Sequence, residues 1–354
     1  MKKIVVAPDS FKGSLTSAEV ADAVERGIKD VFPQCNVVKA GVADGGEGTV
    51  EAIVKAVGGD MYAASVTDPL GRPVKAAYGI VRSGGVKTAV MEMSAASGLP
   101  LLLPDELNPW ITSTYGTGEM ISDALNRGCR KFLVGIGGSA TNDAGTGMLS
   151  ALGVRFLDSR GQRLKGCGRD LESIARIDMS SLMPAARESE FIVACDVNTP
   201  FCGPDGAARV FAPQKGATPQ PTEALDRGMR SFAQVIAGQF QTDIVPLSGA
   251  GAAGGLGGAF KAFLNARLTA GIEMVLDAIA FDSLLEGADL AITMCRELKE
   301  MGFIGIYSII NAPVSLEQAM RQDWATARIR CTVEQILTTM KHCAGTLLFQ
   351  KGGD

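Results

Sequence analysis

Histidine is nearly absent from this chain, with 1 in 354 residues. A Ser-His-Asp or Cys-His nucleophile therefore has no candidate beyond His342, which lies in a C-terminal helical stretch with nothing catalytic around it. The dipeptide Gly-Lys does not occur, which removes the Walker phosphate loop G-x-x-x-x-G-K-[ST]. None of the 8 cysteines belongs to a C-x-x-C pair. Cys35, Cys129 and Cys195 sit in or beside apolar segments, so they read as buried thiols in a reducing compartment, neither a zinc site nor a disulfide frame. Aromatic residues make up only 6%, the net charge is −4 and no basic run interrupts the chain, so nothing favours a nucleic-acid partner. No apolar run reaches membrane-spanning length. The chain opens on a strand, Lys2-Lys-Ile-Val-Val-Ala7, which argues against a signal peptide. The expectation is a soluble cytoplasmic protein.

Glycine, by contrast, is plentiful at 43 residues. It gathers in turns placed before helices: Asp44-Gly-Gly-Glu-Gly48, Tyr115-Gly-Thr-Gly-Glu119, Gly135-Ile-Gly-Gly-Ser139 and Ser248-Gly-Ala-Gly-Ala-Ala-Gly-Gly-Leu-Gly-Gly258. One such turn needs no ligand, since glycine also serves tight turns and close helix-sheet packing. Several together, beside hydroxyls and carboxylates, favour an anion cradle built from backbone N–H groups and helix N-termini. The richest stretch is Phe132-Leu-Val-Gly-Ile-Gly-Gly-Ser-Ala-Thr-Asn-Asp-Ala-Gly-Thr-Gly-Met148. There Ser139, Thr141, Asn142 and Asp143 supply polar groups that a phosphate and its metal need.

The segments before and after these turns read as alternating strands and helices. Strand 4–7, helix 17–30, strand 36–39 and helix 49–57 give a β-loop-α-β-loop-α start, the mark of a parallel sheet. Ser17 is the expected N-cap of the first helix. From about Tyr62 short alternating strands take over, placing a domain boundary near residue 65. Strand-helix units return at 132–136 and 191–195, with a helical run over 257–279. A last α/β segment covers a strand at 288–293, a helix near 295–301 and a strand near 304–309.

Three further positions carry candidate chemistry. Lys12, in Asp9-Ser-Phe-Lys-Gly-Ser14, follows the first strand, at the sheet edge where open α/β proteins bind ligands. Asp196 ends the apolar strand Phe191-Ile-Val-Ala-Cys195; a carboxylate there can accept a hydroxyl proton, hold magnesium, or simply close an Asx-turn. Asp44 and Asp143 share that ambiguity. Arg209, Gln214 and Lys215 lie in a charged loop suited to a carboxylate or phosphate, with surface solvation as the plain alternative.

With these residues in hand, the chain resembles the bacterial glycerate kinase family of glycerate and sugar-diacid catabolism. The resemblance rests on Ala7-Pro-Asp-Ser-Phe-Lys-Gly-Ser14, Val42-Ala-Asp-Gly-Gly-Glu-Gly-Thr49, Glu92-Met-Ser-Ala-Ala-Ser-Gly98, Thr114-Tyr-Gly-Thr-Gly-Glu119, Gly135-Ile-Gly-Gly-Ser-Ala-Thr-Asn-Asp143, Ala194-Cys-Asp-Val-Asn198, Phe211-Ala-Pro-Gln-Lys-Gly216 and Gly249-Ala-Gly-Ala-Ala-Gly-Gly255. It implies a kinase that uses ATP and Mg2+ to phosphorylate D-glycerate, with 2-phosphoglycerate favoured over 3-phosphoglycerate, working as a monomer or homodimer. It implies an α/β fold: a Rossmann-like parallel-sheet domain from both chain ends (1–65 and 283–354), an inserted mixed α/β domain (66–282), and an active site in the cleft between them. Carried over residue by residue, Asp196 and Lys12 are catalytic. Ser14, Asp44, Arg209 and Lys215 meet substrate. Gly137, Gly138, Ser139, Asn142, Gly251, Gly254 and Gly255 hold nucleotide phosphates, and Asp143 with Asp196 binds the metal.

One departure stands out. In the family the strand matching Ala288-Asp-Leu-Ala-Ile-Thr293 leads into a Gly-Glu-Gly-Arg motif, whereas here Thr293 runs straight into Met294-Cys-Arg-Glu and some tens of residues are missing. That leaves open a non-catalytic ligand binder. A second rival is an NAD(P)-dependent dehydrogenase, because Gly135-Ile-Gly-Gly-Ser-Ala140 also fits G-x-G-x-x-A, with Asp158 near the position of a ribose-binding acid. The polar cluster after those glycines argues against it.

Overall fold

The computed structural model describes residues 2–8, 16–42, 46, 48–83, 85–294, 306–310 and 327–328. In chain order these form β1 (Lys3–Ala7), α1 (Ser17–Val31), β2 (Asn36–Lys39), α2 (Thr49–Val57), β3 (Gly59–Thr67), β4 (Pro73–Ser83), β5 (Val86–Glu92), α3 (Ser94–Ser97) and α4 (Tyr115–Asn126). There follow β6 (Lys131–Gly135), α5 (Thr146–Ala151), β7 (Arg155–Leu157), β8 (Arg176–Asp178), α6 (Pro184–Glu188), β9 (Glu190–Ala194), α7 (Ala207–Phe211), α8 (Pro219–Phe240) and α9 (Ala252–Leu264). The last are β10 (Arg267–Thr269), α10 (Gly271–Ala278), α11 (Phe281–Leu285), β11 (Leu290–Met294), β12 (Ile306–Ile310) and β13 (Ala327–Arg328). The chain divides into two compact units, residues 1–44 with 275–354, and residues 45–274.

The first unit is closed by both chain ends. Its sheet has the order β13-β12-β11-β1-β2, with β11, β1 and β2 parallel and β12 and β13 antiparallel. In β1, Ile4, Val5, Val6 and Ala7 are all buried, the continuous apolar run expected of a parallel strand covered on both faces. α1 lays Val20, Ala21, Val24 and Ile28 against Ile4, Val6 and Ile292. Its N-cap is Thr16, one residue ahead of the expected Ser17, because Thr16 and Glu19 close a reciprocal capping box.

The second unit is built on a mixed sheet of order β10-β9-β6-β5-β4-β3, in which β10, β9, β6 and β5 are parallel and β4 and β3 antiparallel. Its core stacks Phe132 on Phe191 with centroids 4.7 Å apart, and Phe191 leans on Phe260 at 5.8 Å. Two expectations are corrected here. The junction falls at 44/45 and not near 65, because α2 packs on β4: a Cβ on Gly79 would lie 2.2 Å from Val54 Cγ2. The helical run over 257–279 is broken, since Asn265 takes a left-handed φ of 48° at the end of α9. The chain then inserts the three-residue β10 beside β9 before α10 begins.

No helix among the described residues is long and apolar enough to cross a membrane. Cys35, Cys129, Cys167, Cys195 and Cys202 are free thiols, and burial pushes the pKa of each up, that of Cys167 to about 12. The expected helix near 295–301 and His342 lie outside the described residues. Truncating Phe191 to alanine removes the ring that joins two aromatic pairs. It should cost about 3–5 kcal/mol, read as a lowered midpoint in urea unfolding.

Candidate active site

The four parallel strands of the second unit end together, and their C-terminal edge carries the polar residues of interest. Glu92 ends β5, Gly135 ends β6 beside it, and Ala194 ends β9 beside Gly135. From Gly135 the chain makes an open loop through residue 145 before α5 starts at Thr146. The first half of the loop is zipped to the segment around α3. Met93 N donates to Gly135 O (2.8 Å), Leu99 N to Gly138 O (2.9 Å) and Ala140 N to Ser97 O (2.9 Å). Gly137 and Gly138 remain exposed, and their own amides have no partner among the described residues. Gly138 needs its freedom, with φ at +69°. Ser139, next along, is 6% exposed.

The second half of the loop turns inward around Asp143, which is fully buried. Its Oδ2 accepts from Thr114 N (2.7 Å), Thr114 Oγ1 (2.8 Å), Gly147 N (3.2 Å) and Ser113 Oγ (3.4 Å), and its Oδ1 from Gly145 N (3.0 Å). Burial pushes the carboxyl above its usual range, while these donors pull it back down. The amides that open α5 therefore hold an internal carboxylate. The metal role expected of Asp143 does not fit this geometry, because the carboxylate is fully buried and turned onto five protein donors. Its work is to shape the loop.

Lys215 is the second buried anchor. The sequence suggested a loop lysine reaching for substrate, yet it is 1% exposed. Its Nζ donates to Ser139 Oγ and to Thr141 O, both at 2.7 Å. Burial lowers its pKa to about 7, with the Asp143 charge opposing the fall. Asn142 also points inward, its Nδ2 toward Met229 Sδ at 3.2 Å, so it meets no phosphate here. Thr141 Oγ1 and Asn142 Oδ1 are buried without a partner among the described residues. Each orphan costs about 1–3 kcal/mol, so the loop is held against a real penalty.

The glycines at 251, 254 and 255 are packing glycines. A Cβ would lie 2.1 Å from Pro200 O at Gly251, 2.2 Å from Thr141 O at Gly254, and 2.8 Å from Met229 Cε at Gly255. They let α9 press against the Thr141–Ala144 loop, where Ala144 N donates to Gly254 O at 3.0 Å. All are buried, which corrects the expectation that they cradle phosphate directly.

Asp196 keeps its expected place. It is exposed just past β9, and Gly271 N at the start of α10 fixes its Oδ1 at 2.9 Å. Its Oδ2 has no partner among the described residues. Arg209 is 45% exposed in α7 and lies 3.8 Å from Asp226, which Arg230 also contacts. Lys12, Ser14 and Asp44 lie outside the described residues. Glu92 closes β5. Its Oε1 accepts from Val50 N at 3.3 Å, and it stands at the same edge as Asp196. The signal that marked Asp196, a carboxylate closing an apolar strand, was present in Ala89-Val-Met-Glu92 as well.

The geometry defines an α/β phosphate-handling class and not a dinucleotide-binding one. In a dinucleotide fingerprint the glycines open the helix directly, whereas here α5 begins only at Thr146. Asp158 accepts from Arg160 N (2.9 Å) and Gln162 N (2.8 Å) in a turn after β7, which forms a separate two-stranded sheet with β8. The dehydrogenase reading is overturned.

Comparison with known proteins gives the particular family. The profile of the Glycerate kinase family matches residues 4–296. The glycerate kinase of Haemophilus influenzae is 48% identical over 320 residues, 90% of this chain and 83% of that protein. The glycerate 2-kinase of Escherichia coli K12 is 46% identical, over 82% of this chain and 76% of its own length. A crystal structure described as glycerate kinase 2 from Salmonella typhimurium LT2 superposes with a TM-score of 0.80 at 47% identity, covering 82% of this chain and 78% of its own. The chain belongs to the glycerate kinase family and is a phosphotransferase by class. The profile match stops at residue 296, close to where the sequence leaves the family pattern after Thr293.

Lys215 makes a pH prediction. Its folded pKa of about 7 lies below the ordinary 10.5, so the unfolded chain binds more protons between those values and stability rises with pH through that window. The buried thiols pull the other way above their ordinary pKa. The measurement is therefore the difference between wild type and Lys215→Met in chemical denaturation at about pH 7 and about pH 9.5. Wild type should gain on the variant at the higher pH by a few kcal/mol, and a constant difference would contradict the assignment.

Proposed function

We propose that this protein transfers the γ-phosphoryl group of ATP to D-glycerate, at the 2-hydroxyl. The observation that carries the reading is the open Gly137–Gly138 turn, whose amides have no partner among the described residues, at the strand edge that also presents Asp196, in a chain of the glycerate kinase family. Relatives bearing the names glycerate kinase and glycerate 2-kinase supply the substrate and the favoured position.

The chain's contribution is positioning and charge. The Gly137 and Gly138 amides and the Ser139 hydroxyl donate to phosphate oxygens, and Asp143 with Lys215 keeps them in place. Asp196, steadied through Oδ1, uses Oδ2 to orient the glycerate hydroxyl and take its proton as that oxygen bonds to the γ-phosphorus. The bond to the bridging oxygen breaks and ADP leaves. Arg209 is assigned to the glycerate carboxylate, and Lys12, by the family resemblance, to phosphate neutralisation. Asp196 and Glu92 at this edge are the carboxylates that would hold a magnesium ion, which would supply neutralisation of the phosphate charge. Among the described residues no group of three His, Cys, Asp or Glu could hold a metal alone.

Asp196→Asn keeps the Gly271 contact and removes the proton acceptor. Its kcat for D-glycerate-dependent ADP formation should fall about 10²–10⁴-fold, while calorimetry shows ATP binding close to wild type. An unchanged kcat would remove Asp196 from the chemistry. Binding of both substrates to wild type without turnover would instead identify a non-catalytic binder.

A further inference from the structure

The opposite edge of the second unit's sheet carries a feature that the kinase reading does not use. Strand alternation puts Asp60 and Tyr62 of β3, Ile80 and Arg82 of β4, and Lys87 of β5 on one face. That is the face on which α4 lies, since Tyr78 Oη donates to Asp123 of α4 at 2.6 Å. α4 ends at Asn126, short of the sheet margin. The uncovered margin and the helix end enclose a groove of about 330 Å³ lined by Gly58, Gly59, Asp60, Tyr62, Ile80, Arg82, Lys87 and Arg127.

The charges around this groove are arranged against the protein's own interest. Arg82 and Lys87 are direct cross-strand partners, and like charges opposed in this way destabilise a sheet. Lys87 finds some relief by donating to Arg127 O at the end of α4 (2.7 Å). Arg127 is paired with Asp123 at 2.8 Å, and its guanidinium lies 4.8 Å from the centre of the Tyr62 ring. Arg82 is exposed and has no ion pair among the described residues. Three cations and one carboxylate, Asp60, thus face one concavity.

We propose that this groove is a second anion site, which takes the phosphate of a small hydroxylated phosphate monoester. Arg82 and Lys87 converge on the phosphate, Arg127 closes the wall, and Asp60 accepts a hydroxyl of the ligand. A bound dianion turns the repulsion between Arg82 and Lys87 into shared attraction. A nucleotide is disfavoured, because the Tyr62 ring already carries Arg127 and stacks on Tyr78 at 6.0 Å, leaving no free platform for a base. β5 runs from Lys87 in the groove to Glu92 at the candidate active site. The two sites therefore lie roughly 20 Å apart on one strand.

Calorimetry with glycerol 3-phosphate as probe tests this on the full chain. The panel is wild type, Arg82→Glu, Asp60→Ala and Ser139→Ala, each checked for a native circular dichroism spectrum. Wild type and Ser139→Ala should bind alike. Arg82→Glu should weaken binding about tenfold or more, as expected for reversing a charge beside the anion. Inorganic phosphate should also bind, and Asp60→Ala should weaken only the hydroxylated probe. No binding by wild type at about 10 mM probe, or binding lost in Ser139→Ala and kept in Arg82→Glu, would overturn the proposal.

Discussion

A buried carboxylate holds the candidate site in shape. Asp143 gathers donors from Ser113, Thr114, Gly145 and Gly147, and so ties the loop after β6 to the start of α4 and to the first amides of α5. A fully buried carboxylate without such partners would cost several kcal/mol and would protonate instead. Lys215 grips the same loop from the other side through Ser139 and Thr141. The two anchors face inward, and what they leave outward is the pair of exposed amides at Gly137 and Gly138. An anion meeting that turn finds donors that need no rearrangement, the economy that makes preorganised amides effective in phosphoryl transfer.

The same constraint explains the distribution of glycine. The glycines at 251, 254 and 255 admit the Pro200 carbonyl, the Thr141–Ala144 backbone and the Met229 side chain at distances no Cβ would tolerate. They serve the site without touching a ligand, by letting α9 back the loop. The site is layered: open amides outside, Ser139 and Lys215 beneath, Asp143 in the interior and the packed start of α9 behind.

Much of this was legible in the sequence. The continuous apolar runs of β1, β6 and β9 announced parallel strands, and the turn after Gly135 marked a candidate site because glycines, hydroxyls and a carboxylate followed a strand. Asp196 was placed by its position after an apolar run. The inward turns of Asp143, Asn142 and Lys215 were not legible. Lysine and aspartate are mostly exposed, and only tertiary packing reveals which of them is enclosed. β10 was missed because three residues with one arginine carry no pattern, and its strand character comes from pairing with β9. Glu92 needed only the argument already applied to Asp196.

The most direct test follows the phosphorus. Purified chain, ATP, magnesium and D-glycerate are mixed, and the product is read by 31P NMR against both phosphoglycerate isomers. The account predicts ADP together with a single new monoester resonance, that of 2-phosphoglycerate. ATP left intact, or hydrolysed to inorganic phosphate without any phosphoglycerate, would contradict it.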